Sequence, residues 1–177
     1  MNVVTSFHKA GFEVYGRKFL ETFKKYWPSS VNLTIYFEDE HDRNPNFKWE
    51  PISSVEFLDE YMAKLRFPLF HGIQGDKYNI NWDARMARKS FIQMHSMRKF
   101  KGKVAWLDSD VITHEPVPEN FLDTVLPDDK FCAYLGRDGW MYTESGFLAF
   151  NASHPIAQKY WLTCLKHFAL MRTYVSN

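Results

Sequence analysis

Short segments rich in β-branched and aromatic residues alternate along this chain with longer segments in which apolar residues recur every three to four positions. The first pattern is typical of buried strands and the second of amphipathic helices. Strands are predicted at residues 3–7, 31–37, 104–107, 130–135 and 146–150. This alternation favours an α/β fold, in which a mostly parallel central sheet carries helices on both faces. In such folds ligands bind outside the carboxyl ends of the strands.

The helices are predicted from the same spacing rule. They cover residues 15–26, 57–65 and 82–97, a short stretch after Pro118, and 156–171. Ser53 and Glu56 have the spacing of a capping box, which indicates that the second helix begins there. The helices therefore lie between the predicted strands, as an α/β fold requires.

The composition is that of a globular protein able to fill a core. Apolar residues make up 45% of the 177 residues and aromatic residues 18%, and a chain of this size buries roughly 70% of the surface that it exposes when unfolded. We expect residues 1–177 to form a single domain. With 22 basic and 21 acidic side chains the net charge is +1, so no long-range field favours nucleic acid or an anionic membrane as a partner.

Charged residues interrupt the first twenty positions, and no later apolar run approaches the ~20 residues of a membrane span. We therefore expect a cytoplasmic protein without a transmembrane segment. Cys132 and Cys164 lack the CxxC spacing of a zinc or redox site. They are expected to be reduced, buried thiols.

Asp108 and Asp110 come directly after the predicted strand 104–107. Residues two apart in extended chain point the same way, so the two carboxylates can converge on one ion while Ser109 faces elsewhere. Oxygen ligands suit Mg²⁺ or Mn²⁺, which proteins hold with one or two carboxylates plus substrate phosphates. The alternative is that these residues only form the turn that follows the strand.

A basic segment lies on the helix that precedes this strand. Arg85 and Lys89 are one helical turn apart, and Arg88 adds to the same cationic region, which suits a diphosphate. We expect Arg85 to be the principal ligand, because the planar guanidinium matches phosphate geometry. The alternative is a solvated helix face that pairs with Asp83 or with the acidic loop 38–42.

A loop at residues 136–140 follows the fourth predicted strand. Trp140 offers a flat apolar face to a ligand, although core packing is an alternative for any aromatic residue in this chain. Asp138 and Glu144 are the carboxylates best placed by sequence to accept hydrogen bonds from a ligand or to act as a general base.

The segment Trp106-Leu107-Asp108-Ser109-Asp110-Val111 resembles the DxD motif of the GT-A glycosyltransferases, whose fold is Rossmann-like, and especially of those related to glycosyltransferase family 8. The strand 3–7, the basic helix 83–89 and the small-residue segment 144–147 resemble further parts of that family in the same order. The similarity covers roughly residues 3 to 155. The donor contacts that it implies are Thr5, Ser6, Phe7, Arg85, Lys89, Ser109, Trp140 and Gly146.

The resemblance also implies a chemistry. Trp140 would offer its face to a sugar ring, and Asp138 and Glu144 would bind donor hydroxyls, or deprotonate an acceptor hydroxyl if the reaction inverts the anomeric centre. Mn²⁺ or Mg²⁺ at Asp108 and Asp110 would neutralise the diphosphate of a UDP-sugar while a hexose, glucose or galactose, passes to a hydroxyl acceptor. The family's later histidine, which completes the metal site, has no match, because His154 and His167 lack its motif. Either water or phosphate replaces that ligand, or the sequence lacks its end.

Two alternatives stay open. A nucleotide-sugar or glycan binding module could keep this fold without turnover. Asp108-Ser109-Asp110-Val111-Ile112 also resembles the first motif of haloacid-dehalogenase-type phosphatases, in which the first Asp is a nucleophile. That motif normally opens the fold, whereas here it lies past the midpoint of the chain.

Overall fold

The computed structural model describes residues 1–38, 43–65, 80–137, 139 and 144–173, with the side chains of 64–65, 80–85 and 167–173 excepted. The strands are β1 (Asn2–Phe7), β2 (Asn32–Phe37), β3 (Lys48–Pro51), β4 (Lys103–Leu107), β5 (Cys132–Leu135) and β6 (Glu144–Asn151). The helices are α1 (Lys9–Gly11), α2 (Arg17–Tyr26), α3 (Leu58–Leu65), α4 (Ile80–Lys99), α5 (Phe121–Val125) and α6 (Ile156–Thr173). A π-helical turn, Phe12–Gly16, joins α1 to α2. Among these described helices, each is too short or too polar to cross a membrane.

The six strands form one sheet in the order β3-β2-β1-β4-β6-β5. The first four strands of that order are parallel, whereas β6 runs antiparallel to both β4 and β5. This confirms the predicted α/β class with a mostly parallel sheet. One edge of the sheet, the carboxyl edge, therefore receives the ends of β1 to β5 together with the start of β6.

The face of the sheet under α2, the α2 face, contains a cluster of contacting aromatic rings. Val3 and Phe7 of β1 point to this side, because alternate residues of a strand share a face. Phe7 packs edge to face on Phe12 and Phe19, with ring centroids 5.5 and 5.8 Å apart. The apolar residues that recur every four positions along α2 therefore lie on one buried stripe of the helix, as the sequence predicts.

The opposite face, the α4 face, is covered by α3, α4 and part of α6 and contains buried polar groups. The hydroxyls of Tyr36 and Ser96 and Nε2 of His95 have no hydrogen-bond partner within the described part of the protein. Burial raises the pKa of the Tyr36 phenol to about 12. Burial also lowers the pKa of His95, because desolvation disfavours the imidazolium.

Two local expectations need correction. Strand β3 is absent from the sequence-based prediction, because two of its four residues are exposed, two are only half-buried, and it ends at Pro51. The capping box at Ser53 does not form. A 3₁₀ turn, Ile52–Ser54, and a left-handed Phe57 (φ 63°) precede the helix, which begins at Leu58.

The expected burial of the cysteines is also wrong. Cys132 is exposed and Cys164 half-buried, and both are free thiols. Cys132 lies on β5, which is the outermost strand of the sheet and leaves much of its side-chain surface open. An apolar segment in the sequence does not distinguish an edge strand from an inner one.

Candidate functional site

The Asp108-Ser109-Asp110 segment forms a turn at the carboxyl edge. The backbone N–H of Asp108 donates to the carbonyl of Gly146 (2.8 Å), which extends the β4–β6 pairing by one residue. The carbonyl of Asp108 then accepts from the N–H of Val111 (3.1 Å), which closes the turn. Asp108 and Ser109 are half-buried and Asp110 is exposed. The backbone therefore fixes the first carboxylate and presents the second to solvent.

Two donors hold one oxygen of the Asp108 carboxylate. Oδ1 accepts from Lys89 Nζ (2.6 Å) and from the indole Nε1 of Trp106 (2.5 Å). Lys89 Nζ also donates to the carbonyl (2.7 Å) and the hydroxyl (3.1 Å) of Ser145. The Lys89 side chain is only 12% exposed. It thus joins α4 to the end of β4 and the start of β6.

The start of β6 places a second carboxylate near the first. Oε1 of Glu144 accepts from the backbone N–H of Gly146 (3.0 Å), and Oε2 pairs with the guanidinium of Arg137. A Cβ added at Gly146 would lie 3.4 Å from Glu144 Oε1 and 3.7 Å from Asp108 Oδ2. The two carboxylates therefore lie on either side of a glycine that has no side chain to shield them.

The residues of β1 that the family resemblance implies as donor contacts divide between the two faces. Thr5 and Phe7 are buried, at 0% and 1% exposure, so their side chains belong to the core. Ser6 is half-buried and points to the α4 face. The carbonyl of Phe7 accepts from the N–H of Glu38 (3.0 Å). Contact between Thr5 or Phe7 and a ligand would therefore involve main-chain atoms.

The basic helix is α4, and its side chains do different things. Arg88 pairs with Glu38 (3.2 Å), as expected if this face contacts the acidic loop. Lys89, expected to contribute less than Arg85, contacts Asp108 directly. Arg85 lies on α4, but its side chain falls outside the described residues, as do Asp138 and Trp140.

The oxygen donors of this turn suit a hard divalent cation. Oδ2 of Asp108 and the carboxylate of Asp110 are the groups that could hold one. Within the described ranges, no three His, Cys, Asp or Glu side chains cluster as metal ligands would. His154 follows the far end of β6, where Nδ1 accepts from the N–H of Ile156 (3.2 Å), so it lies at the opposite edge of the sheet. The side chain of His167 is not described.

Sequence reasoning missed three contacts of this site, made by Trp106, Arg137 and Ser145. Trp106 and Ser145 both lie within the segments that carry the family resemblance, but a hydrogen bond from an indole or to a backbone carbonyl leaves no trace in a sequence. Arg137 is recognisable only once β5 and β6 are known to be antiparallel neighbours, because that pairing brings it to Glu144.

A groove of about 810 Å³ lies at the other end of the sheet, lined in part by Asn2, Asn32, Trp27 and Phe47. It shares no residue with the site at the carboxyl edge. The candidate site at the carboxyl edge is therefore recognised by its charged side chains and not by the volume of a cavity.

No family model matches the chain, and no curated protein is similar to it. Solved structures are similar in fold. The apo-form glycosyltransferase GlyE of Streptococcus pneumoniae TIGR4 matches with a TM-score of 0.52 and 13% identity over 93% of this chain. The apo structure of the bifunctional glycosyltransferase WbbM gives 0.51 and 13% over 91%, and an active-site mutant of LgtC gives 0.51 and 13% over 94%.

The chain shares the fold of these glycosyltransferases. It spans 37% of GlyE, 33% of WbbM and 65% of LgtC, so each of those proteins contains much that this chain does not match. Identity of 13% shows likeness of fold alone. This likeness of fold assigns no role to any site residue, and only the contacts of each residue indicate what it can do.

Proposed function

We propose that this chain is a metal-dependent glycosyltransferase that transfers a hexose, glucose or galactose, from a UDP-sugar to a hydroxyl acceptor. Residues 1–177 would act as one nucleotide-sugar-binding domain. The observation that carries the proposal is the position of Asp108 and Asp110 at the carboxyl end of β4, in a sheet with the fold of known glycosyltransferases. In open α/β sheets ligands bind at this edge.

Asp108 and Asp110 would hold Mn²⁺ or Mg²⁺ through Asp108 Oδ2 and the exposed carboxylate of Asp110. A cation there supplies positive charge that stabilises the departing nucleotide diphosphate. Trp106 and Lys89 both bond Asp108 Oδ1, so the carboxylate cannot turn away from the edge. The protein's part is thus to fix the orientation of one ligand in advance.

Glu144 is the second functional carboxylate of the proposal. Arg137 and the N–H of Gly146 each bind one of its oxygens, which fixes its position beside Asp108. An ionised carboxylate has further lone pairs that can accept from a sugar hydroxyl. The absent side chain of Gly146 leaves room for the donor, whereas Asp138 and Trp140 remain candidates for acceptor and sugar contacts.

Asp110→Asn tests the proposal. This variant should weaken UDP binding in the presence of Mn²⁺ by at least about tenfold, because changing even an outer-shell partner of a metal site has that effect. Calorimetry measures the affinity of each protein for UDP, once in the presence of Mn²⁺ and once in the presence of EDTA. The substitution should not change the UDP affinity measured with EDTA. Asp59→Asn, on the exposed start of α3, is the matched control.

If the Mn²⁺-dependent affinity of a folded Asp110→Asn variant equals that of the wild type, the two aspartates are turn formers and the proposal fails. Turnover needs a separate assay, in which the protein, Mn²⁺ and UDP-sugars are mixed and UDP release is followed. Metal-dependent UDP binding without UDP release across acceptors would indicate a nucleotide-sugar binding module.

A further inference from the structure

The ammonium of Lys89 already neutralises the carboxylate of Asp108. Its three N–H groups meet three oxygens, namely Asp108 Oδ1 and the carbonyl and hydroxyl of Ser145, at 2.6, 2.7 and 3.1 Å. An ammonium has three donors. Lys89 therefore has no remaining hydrogen to give to a phosphate while these bonds are made.

Lys89 is the least exposed of the cations that form ion pairs on the described part of α4. It is 12% exposed, whereas Arg88, Lys99 and Arg98 are 29%, 31% and 45% exposed, and its partner Asp108 is 31% exposed. Solvent screens a buried charge less than an exposed one. A divalent cation bound by Asp108 would therefore have to share that carboxylate with the positive charge of Lys89.

We propose that Lys89 is the resident counter-ion of Asp108 and competes with a divalent cation for it in the nucleotide-free protein. The inference rests on the proposed function and adds to it a reason for metal and nucleotide to bind together. A cation on Oδ2 would lie close to an ammonium on Oδ1 of the same carboxylate, and the two would repel each other. A nucleotide diphosphate carries enough negative charge to offset that repulsion.

This role differs from the one that the sequence suggests, in which Lys89 binds phosphate. Lys89 acts here through Asp108, as a positioning residue. The expected signature is that the free protein binds Mn²⁺ weakly, and that UDP tightens Mn²⁺ by the same factor by which Mn²⁺ tightens UDP, as linkage requires.

The experiment titrates Mn²⁺ into nucleotide-free protein and follows the electron paramagnetic resonance signal of the unbound ion. Lys89→Met removes the charge and keeps a long unbranched side chain, and it should raise the Mn²⁺ affinity by about tenfold or more. It should also reduce the factor by which UDP tightens Mn²⁺. Lys89→Arg keeps the charge and should leave Mn²⁺ binding weak, as should Lys99→Met, the matched control on the same helix.

Lys89→Gln, which keeps a hydrogen-bond donor without the charge, replaces Lys89→Met if the latter does not fold, and circular dichroism checks each variant. If the folded neutral variants bind Mn²⁺ with the same affinity as the wild type, Lys89 is not the counter-ion of Asp108. That result leaves the proposed function standing, since the Asp110→Asn experiment tests it separately. Tight Mn²⁺ binding by the wild type without UDP also overturns the counter-ion role. If the wild type binds no Mn²⁺ even with UDP, both proposals fail.

Discussion

The residues of β1 divide between two environments that differ in chemistry. Phe7 packs under α2 among aromatic rings, whereas Val4 and Ser6 face α4. The buried polar side chains of the α2 face include two threonines. Thr22 bonds the carbonyl of Phe19, whereas the hydroxyl of Thr5 has no partner in the described protein. On the α4 face, Tyr36 is fully buried with a hydroxyl that has no partner in the described protein.

The difference indicates a division of work between the two faces. Close packing of rings should make the α2 face a major source of stability. The α4 face accommodates polar and charged groups beside its apolar core, and it continues into the Lys89–Asp108 pair at the carboxyl edge. Substitution of a ring on the first face should therefore alter unfolding at any pH. On the second face, a buried polar group should make unfolding depend on pH, and the charged groups at the carboxyl edge should alter binding.

Phe7→Ala should give the largest effect, a loss of about 3–5 kcal/mol in the free energy of unfolding, because it leaves a cavity among three rings. Denaturant unfolding followed by circular dichroism measures it. Val14→Ala, at a position 81% exposed on the π-helical turn whose Phe12 packs on Phe7, should change stability by less than about 0.5 kcal/mol. Similar effects for both variants would show that the packing of these rings does not stabilise the fold.

Alkaline pH should destabilise the protein through the α4 face. The pKa of Tyr36 is raised from 10.0 to about 12 by burial. The unfolded chain therefore loses this proton first, so stability falls as the pH rises from 10 to 12. At about 1.4 kcal/mol per pKa unit, the loss is on the order of 2–3 kcal/mol.

Tyr36→Phe isolates that contribution, because the pKa of Tyr160 is also raised to about 12 and changes stability in the same direction. The variant should flatten the decline in unfolding free energy between pH 10 and 12. Its stability at neutral pH should stay within about 1 kcal/mol of the wild type, since the hydroxyl that it removes lacks a protein partner. An unchanged pH profile would show that the phenol is not desolvated.

Arg85→Ala should reduce donor kcat/KM by roughly ten- to a hundredfold, because losing a hydrogen bond to a charged group costs about 1.5–3 kcal/mol. Its free energy of unfolding should not change, because the predicted role of Arg85 is to bind the donor. Arg98→Ala, at an exposed ion pair of the same helix, is the control and should retain full activity. Wild-type kinetics for Arg85→Ala would remove Arg85 from the site.

The sequence predicts the class of fold well and its edges poorly. The sequence pattern places five of the six strands, since β4 is apolar after Lys103 and the centre of β1, Val3-Val4-Thr5, is β-branched. Strand β3 contacts its neighbour on one side only and has few apolar residues, so its sequence resembles a loop. The reversed direction of β6 is equally invisible, because strand direction is set by the connections and not by side-chain pattern.

The sequence predicts which site residues lie at the end of a strand, but not which side chains form hydrogen bonds with one another. Asp108, Glu144 and Gly146 meet at one edge because three-dimensional pairing brings β4 beside β6. The choice of Lys89 over its neighbours as the partner of Asp108 depends on the angle at which α4 crosses the sheet. The orientation of a single side chain therefore lies beyond what spacing in a sequence can determine.

The indole of Trp106 has a use in measurement that follows from its contacts. It is 4% exposed, its N–H meets Asp108 Oδ1 at 2.5 Å, and Lys89 Nζ lies 5.5 Å from its ring centroid. An indole emits at a wavelength set by the charges around it, and here both charges belong to the proposed metal site. The protein therefore contains an optical probe at that position, whose share of the emission from the six tryptophans can be obtained by subtracting the spectrum of Trp106→Phe.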